Sequence, residues 1–237
     1  MTVRAFNVVS WFTSAILALA VASAPIALAP LHAQEAPPWP DTFTARLEAL
    51  AMIQTLNAEI LGSRSATLTL ENWCRSHRIA EEPRILARPV TGVSKMPTAE
   101  QRQRLEVTEH EEVKYRRVQL RCGTQVLSEA DNWYVPSRLT AEMNRLLETS
   151  DTPFGRAVES LEPYRRTFSV TLLWAPLPDD WERQSATLPD SSDRALEIPA
   201  AVFEHRAVLY TRDHKPFSEV SEVYQRQILA FPPRSPN

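Results

Sequence analysis

Three stretches of this chain combine residue types suited to holding a small anionic molecule or to moving its protons. The first is TSDTPFGRAV, Thr149 to Val158, which places one of only 4 glycines behind Thr-Pro-Phe and ahead of an Arg. Asp151 or Thr152 can cap a helix there, with Pro153 at its first position, where its missing N–H costs nothing. The amides of Phe154 and Gly155 would then point out of a helix N-terminus, where partial positive charge favours a carboxylate or phosphate. Gly155 would let that ligand approach the backbone closely. A purely structural helix start explains the same residues. The second stretch is YRRVQLRC, where a guanidinium fork could grip a carboxylate. Arg117 shares a strand face with Tyr115 and Gln119, and Arg116 shares one with Val118 and Leu120. Alternation leaves open which arginine faces inward, and a bulge would change the count. The third is FSEVSEVYQ, in which Ser218, Val220, Glu222 and Tyr224 fall on one face. Among these neighbours Glu222 suits acid–base work, or else a cross-strand salt bridge. Glu219 is expected on the opposite, solvated side.

The elements that must position these residues are legible in outline. Phe43, Leu47, Leu50, Ile53, Leu56 and Ile60 recur at helical spacing, with Asp41 as cap and Gly62 as stop. A second helix is expected from Ser65, with Leu68, Trp73 and Cys74 available to the core. The segment EEPRILARPVTGVSKMPTAEQRQRLEV reads as short extended runs broken by Pro and Gly. VKYRRVQLRC and QVLSEADNWYVP flank a Gly-Thr turn and read as a β-hairpin. LTAEMNRLLE returns to helical spacing through Leu139, Met143, Leu146 and Leu147. TFSVTLLWAPL reads as a strand. PDDWERQSATLPDSSDRALEIPA follows as a polar surface loop, and the hairpin VFEHRAVLYT…FSEVSEVYQRQIL closes the chain. Helices followed by hairpins predict an α+β fold, an antiparallel sheet with helices packed over it.

Bulk properties narrow the function. Val8 to Ala29 carries no charge, follows Arg4 and leads into small residues, the pattern of a signal peptide cleaved after Ala33. The same run is long enough to serve as an uncleaved N-terminal anchor. Residues 1–33 therefore read as a signal peptide, 34–64 as a lead-in and N-terminal helix, and 34–237 as one globular unit outside the cytoplasm, with no membrane contact once the signal is removed. Without Arg4 the chain keeps 25 Lys+Arg against 29 Asp+Glu, a formal charge of −4, which disfavours nucleic acid as a partner. Cys74 and Cys122, the only cysteines, could form one disulfide in an oxidising compartment or stay as two buried thiols. His77, His110, His205 and His214 show no paired spacing, so no metal site is expected.

The order YRRVQLRC, a return strand ending ADNWYVP, a helix, TPFGR, and a last hairpin strand bearing a Glu resembles the bacterial chorismate–pyruvate lyase family. The resemblance covers roughly Ser65 to Leu229, within a lyase-like domain of 65–237. It implies an antiparallel sheet and helices enclosing a pocket where chorismate is cleaved to 4-hydroxybenzoate and pyruvate without a cofactor. It puts the family's substrate-binding Arg on Arg117, its carboxyl group on Glu222 and the Leu of its turn on Phe154, beside Gly155. A pocket Met of the family falls on Ala66, a departure implying a wider pocket. Lyase activity and non-catalytic capture of a small aromatic carboxylate, such as 4-hydroxybenzoate, both follow as expectations.

Overall fold

The computed structural model describes residues 1–2, 38–183 and 193–233. The signal-peptide segment therefore lies almost wholly outside the described residues, as does the middle of the polar loop. The chain divides into Met1–Gln34 and Glu35–Asn237, and the second unit contains every element below.

Helix α1 (Phe43–Gly62) and helix α2 (Ala66–Ser76) come first, followed by strand β1 (Ile85–Pro89) and the short helix α3 (Ala99–Arg104). Strands β2 (Lys114–Cys122) and β3 (Gln125–Tyr134) form a hairpin, and helices α4 (Ala141–Thr149) and α5 (Phe154–Ala157) lead to strand β4 (Tyr164–Leu172). Strands β5 (Ala201–Tyr210) and β6 (Pro216–Gln225) form the second hairpin. All six strands join one antiparallel sheet in the order β1-β2-β3-β6-β5-β4. The expected α+β architecture is present, with β3 and β6 at the centre because each hairpin lays its last strand against the other's.

Local chemistry explains the boundaries. Thr42, rather than the expected Asp41, caps α1 by accepting the amide of Ala45. The helix buries Ala45, Ala49, Ile53, Leu56 and Ile60, so in its first half the buried stripe runs through the alanines and not through Leu47 and Leu50. Leu47 and Leu68, assigned inward by spacing, are 37% and 45% exposed. Pro153 is the cap residue of α5 rather than its first helical residue, and no side chain caps that helix. Helix α3, hidden in a segment that reads as extended, is nucleated by a capping box between Thr98 and Gln101. Gly123 opens the β2–β3 turn at φ +56, and a Cβ there would lie 2.9 Å from Cβ of Ala80, so glycine is required twice over.

The core fills the space between the helices and one face of the sheet, from Leu56 and Leu70 to Phe203, Phe217 and Tyr224. Of the two arrangements open to the cysteines, the structure has the disulfide: Cys74 on α2 is bonded to Cys122 at the end of β2, with Cα atoms 6.5 Å apart. The indoles of Trp73 and Trp39 donate to the carbonyls of Ile228 (2.8 Å) and Leu229 (3.0 Å), closing the C-terminal turn over α2.

The other sheet face is polar and partly covered by α3. Glu219, expected in water, is 1% exposed. Arg104 holds it through two bonds of 2.8 and 2.9 Å, Gln101 donates at 3.3 Å and Arg206 lies 3.6 Å away. The guanidinium groups of Arg104 and Arg206 also lie over the ring of Phe168, at 4.7 and 5.5 Å. Glu219, on a sheet face that looks solvated by alternation, is thus covered by a helix absent from the sequence-level picture.

Candidate functional site

A cavity with about 630 Å³ of empty space, including its open mouth, lies between the sheet and the helices. Its floor is the inward face of the sheet: Arg116, Val118 and Leu120 from β2, Ala130 and Asn132 from β3, Val220 and Glu222 from β6, Leu209 from β5 and Arg165 from β4. The lip is made by Arg64 to Thr67 at the start of α2 and by Phe154, Gly155 and Pro163. The lip is tied down from behind. Arg156 of α5 donates to Glu71 of α2 at 2.9 Å, and the same carboxylate oxygen accepts the amide of Ile85 at 3.1 Å.

The structure thus brings Ala66, Phe154, Gly155 and Glu222 to one cavity. It does not bring Arg117. In the β2–β3 register Arg116 stands opposite Asn132 and Val118 opposite Ala130, and the bulge comes only after Leu120. The count from Arg116 through Leu120 is therefore uninterrupted, and Arg116 shares the buried face with Val118 and Leu120. Arg117 lies on the polar face, where it pairs with Glu129 at 2.9 Å and Asp131 at 3.9 Å. The placement of Arg117 in the pocket is corrected to Arg116. The signal for this was in the sequence: Arg116 alternates with apolar residues, and Arg117 with polar ones.

Arg116 is 9% exposed. One nitrogen donates to the carbonyls of Thr152 (3.2 Å) and Ser150 (3.5 Å), while Nε and Nη1 are buried without partners. No carboxylate pairs with it among the described residues. Burial accordingly pulls its pKa below the usual arginine value.

Arg165 was missed at the sequence level. The expected strand began at Thr167, but β4 starts at Tyr164, and a bulge between Thr167 and Ser169 breaks the alternation that would have revealed the inward residue. Its Nη2 lies 2.6 Å from Oε2 of Glu222, with side chains 4% and 8% exposed. The contact is a close ion pair rather than a well-aligned hydrogen bond, since Nη2 meets no acceptor in hydrogen-bonding geometry. Desolvation opposes the charge on Arg165, but the Glu222 carboxylate outweighs it, and its pKa is raised. The Tyr224 hydroxyl donates to the same Oε2 at 3.0 Å, while Oε1 has no partner among the described residues. Burial, then the Glu222 charge, pushes the Tyr224 phenol well above its ordinary range.

Behind Glu222, in register on β5, is His205, which is fully buried. Its Nε2 meets Oδ1 of Asn57 on α1 at 2.7 Å, so Nε2 carries the proton, and Nδ1 is left without a partner. Desolvation and the neighbouring Arg165, partly offset by Glu222, lower its pKa to about 4. His205 is neutral at physiological pH. Gly155 matters by contact rather than by backbone angle. A Cβ there would stand 3.0 Å from Oγ of Ser65 and 3.1 Å from Oγ1 of Thr67, wedging α5 away from the start of α2.

Comparison with known proteins adds a relative and two likenesses. No family model matches the chain. The ligand-binding domain of a GntR-family transcriptional regulator from Bordetella bronchiseptica is 17% identical, with a TM-score of 0.39, covering 60% of this chain and 82% of that one. PhnF from Mycobacterium smegmatis is 14% identical, with a TM-score of 0.44, covering 75% and 71%. At 47% identity over 228 residues, 96% of its length and 94% of the relative's, the chain belongs to the same family as the uncharacterized protein y4mC of Sinorhizobium fredii.

Proposed function

We propose that this protein acts outside the cytoplasm and binds a small aromatic carboxylate in the cavity between the sheet and α2. The observation that carries this reading is the Arg116 guanidinium, which lines the cavity, is buried, and has no carboxylate paired with it among the described residues. A buried cation is costly unless an anion compensates it, and a ligand carboxylate is the group whose geometry fits the guanidinium fork. Val118, Leu120, Leu209, Val220 and Phe154 supply apolar walls for a ring. The free Oε1 of Glu222 can accept a hydrogen bond from a ligand hydroxyl. The resemblance to chorismate–pyruvate lyase points to the same ligand class.

Lyase activity is the second reading, and the observation favouring it is that Glu222 lines the cavity with one oxygen unengaged. In that role Glu222 would take the proton lost from the ring as the bond between the ring carbon and the ether oxygen breaks and the ring becomes aromatic, and a proton taken up at the methylene carbon of the departing enolpyruvate gives pyruvate. Calorimetric titration with 4-hydroxybenzoate tests the binding site. Incubation with chorismate, followed by assay for pyruvate, tests catalysis. Binding without pyruvate release supports capture alone, release supports the lyase, and absence of both defeats the assignment.

Export is supported by the charge-free run after Arg4 and by the Cys74–Cys122 bond, which belongs to an oxidising compartment. Intact-mass measurement of the protein made in a bacterial host should show loss of Met1 through Ala33. A mass that retains them favours the membrane anchor.

A further inference from the structure

We infer that the pocket selects a monoanion, with Arg165 setting that rule by holding Glu222 in an ion pair. The inference rests on the proposed carboxylate site at Arg116 and goes on to specify the charge of the rest of the ligand. Three ionisable groups line the cavity from within: Arg116 on β2, Arg165 on β4 and Glu222 on β6. Arg165 and Glu222 cancel each other at 2.6 Å, which leaves one uncompensated positive charge on Arg116. The groups packed behind them add none. His205 on β5 is neutral, its Nε2–H committed to Asn57, and Tyr224 is a neutral phenol donating to Glu222. At the lip, Arg156 is paired with Glu71, while Arg64 is exposed and its charge is screened by solvent.

One ligand carboxylate therefore brings the buried site to neutrality. A second carboxylate at the far end of the ring would face Glu222, whose counter-charge is already spent on Arg165, and would leave a net buried negative charge. The unengaged Oε1 of Glu222 calls instead for a neutral donor, a hydroxyl or an amide. The ligand class is thus a carboxylate on one end of an apolar body with an uncharged hydrogen-bond donor on the other. A dicarboxylate such as chorismate fits this rule poorly.

The test uses two ligands of nearly identical shape, 4-carbamoylbenzoate (a monoanion with an amide donor) and terephthalate (a dianion), titrated into the wild-type protein by calorimetry at neutral pH alongside 4-hydroxybenzoate. The wild type should bind 4-carbamoylbenzoate at least about tenfold more tightly than terephthalate. In Glu222→Gln, which keeps the shape and removes the charge, that preference should shrink at least about tenfold or reverse. Equal or tighter binding of terephthalate by the wild type overturns the inference while leaving the anion site intact. So does binding of 4-hydroxybenzoate with rejection of both para-substituted acids. Failure of all three to bind removes the site itself, and the inference with it. Should Glu222→Gln fail to fold, the wild-type ratio decides alone.

Discussion

Arg165 and Glu222, on strands separated by β5, meet at 2.6 Å beneath the cavity with almost no exposure to water. The two charges depend on each other, because either one alone would be a buried ion without compensation. Arg165→Met should therefore cost about 3–5 kcal/mol of stability, while Arg165→Met with Glu222→Leu should regain most of it. Urea unfolding of the three proteins checks this. A double variant no more stable than the single one would show that the pair does not act as a unit.

Arg116 and Arg117 are neighbours with opposite surroundings, and their variants should separate cleanly. Arg116→Met removes an uncompensated buried cation, so the ligand-free protein should be as stable as the wild type or more so. Loss of the charge-assisted contact should weaken 4-hydroxybenzoate binding by about 2–4 kcal/mol, roughly 30- to 1,000-fold. Arg117→Ala breaks a half-exposed ion pair with Glu129 and should cost no more than about 1 kcal/mol of stability. Its ligand affinity should stay within about twofold of the wild type. Thermal unfolding and calorimetry on both variants provide the comparison, and a larger binding loss at Arg117 would contradict the register.

Gly155 sits where the starts of α5 and α2 nearly touch. Gly155→Val forces the side chains of Ser65 and Thr67 to move and should cost about 1–3 kcal/mol of stability. Because those residues form the cavity lip, ligand affinity should fall more than stability does. Paired calorimetry and denaturant titration read the two effects. A variant that unfolds more easily yet binds as tightly as the wild type would show that the lip does not shape the site.

His205 makes stability depend on pH in a defined window. Its folded pKa is about 4, against about 6.5 in an unfolded chain, so between these values the unfolded state binds the proton more readily. The contribution is fully present above about pH 6.5 and is lost as pH falls toward 4, a change of about 3 kcal/mol. The groups facing it are Arg165, Glu222, Asn57 and the ring of Tyr224. His205→Gln should flatten this part of the profile when urea midpoints are compared at pH 7 and pH 4.5. An unchanged slope would mean that other groups dominate it.

Much of the fold was legible because it rests on local patterns. The β2–β3 and β5–β6 hairpins follow from alternating strands around polar turns, and the sheet class follows from their number and order. Helix α3 escaped because a six-residue helix has too few apolar residues to display a period, and only its capping box marked it. Glu219 was misplaced for the same reason: its burial depends on α3 arriving from elsewhere in the chain.

By itself, the sequence determined that Glu222 shares a face with Val220 and Tyr224 and that the Thr-Pro-Phe-Gly-Arg segment opens a helix. These are matters of alternation and capping, each contained within a few residues. Tertiary structure alone decided the electrostatics of the site. The pairing of Arg165 with Glu222 spans three strands. The isolation of Arg116 depends on which carboxylates fail to reach it. The neutrality of His205 depends on α1 covering β5 and on Arg165 lying nearby. Charge compensation is a property of distances between segments remote in sequence, and no local pattern encodes such distances.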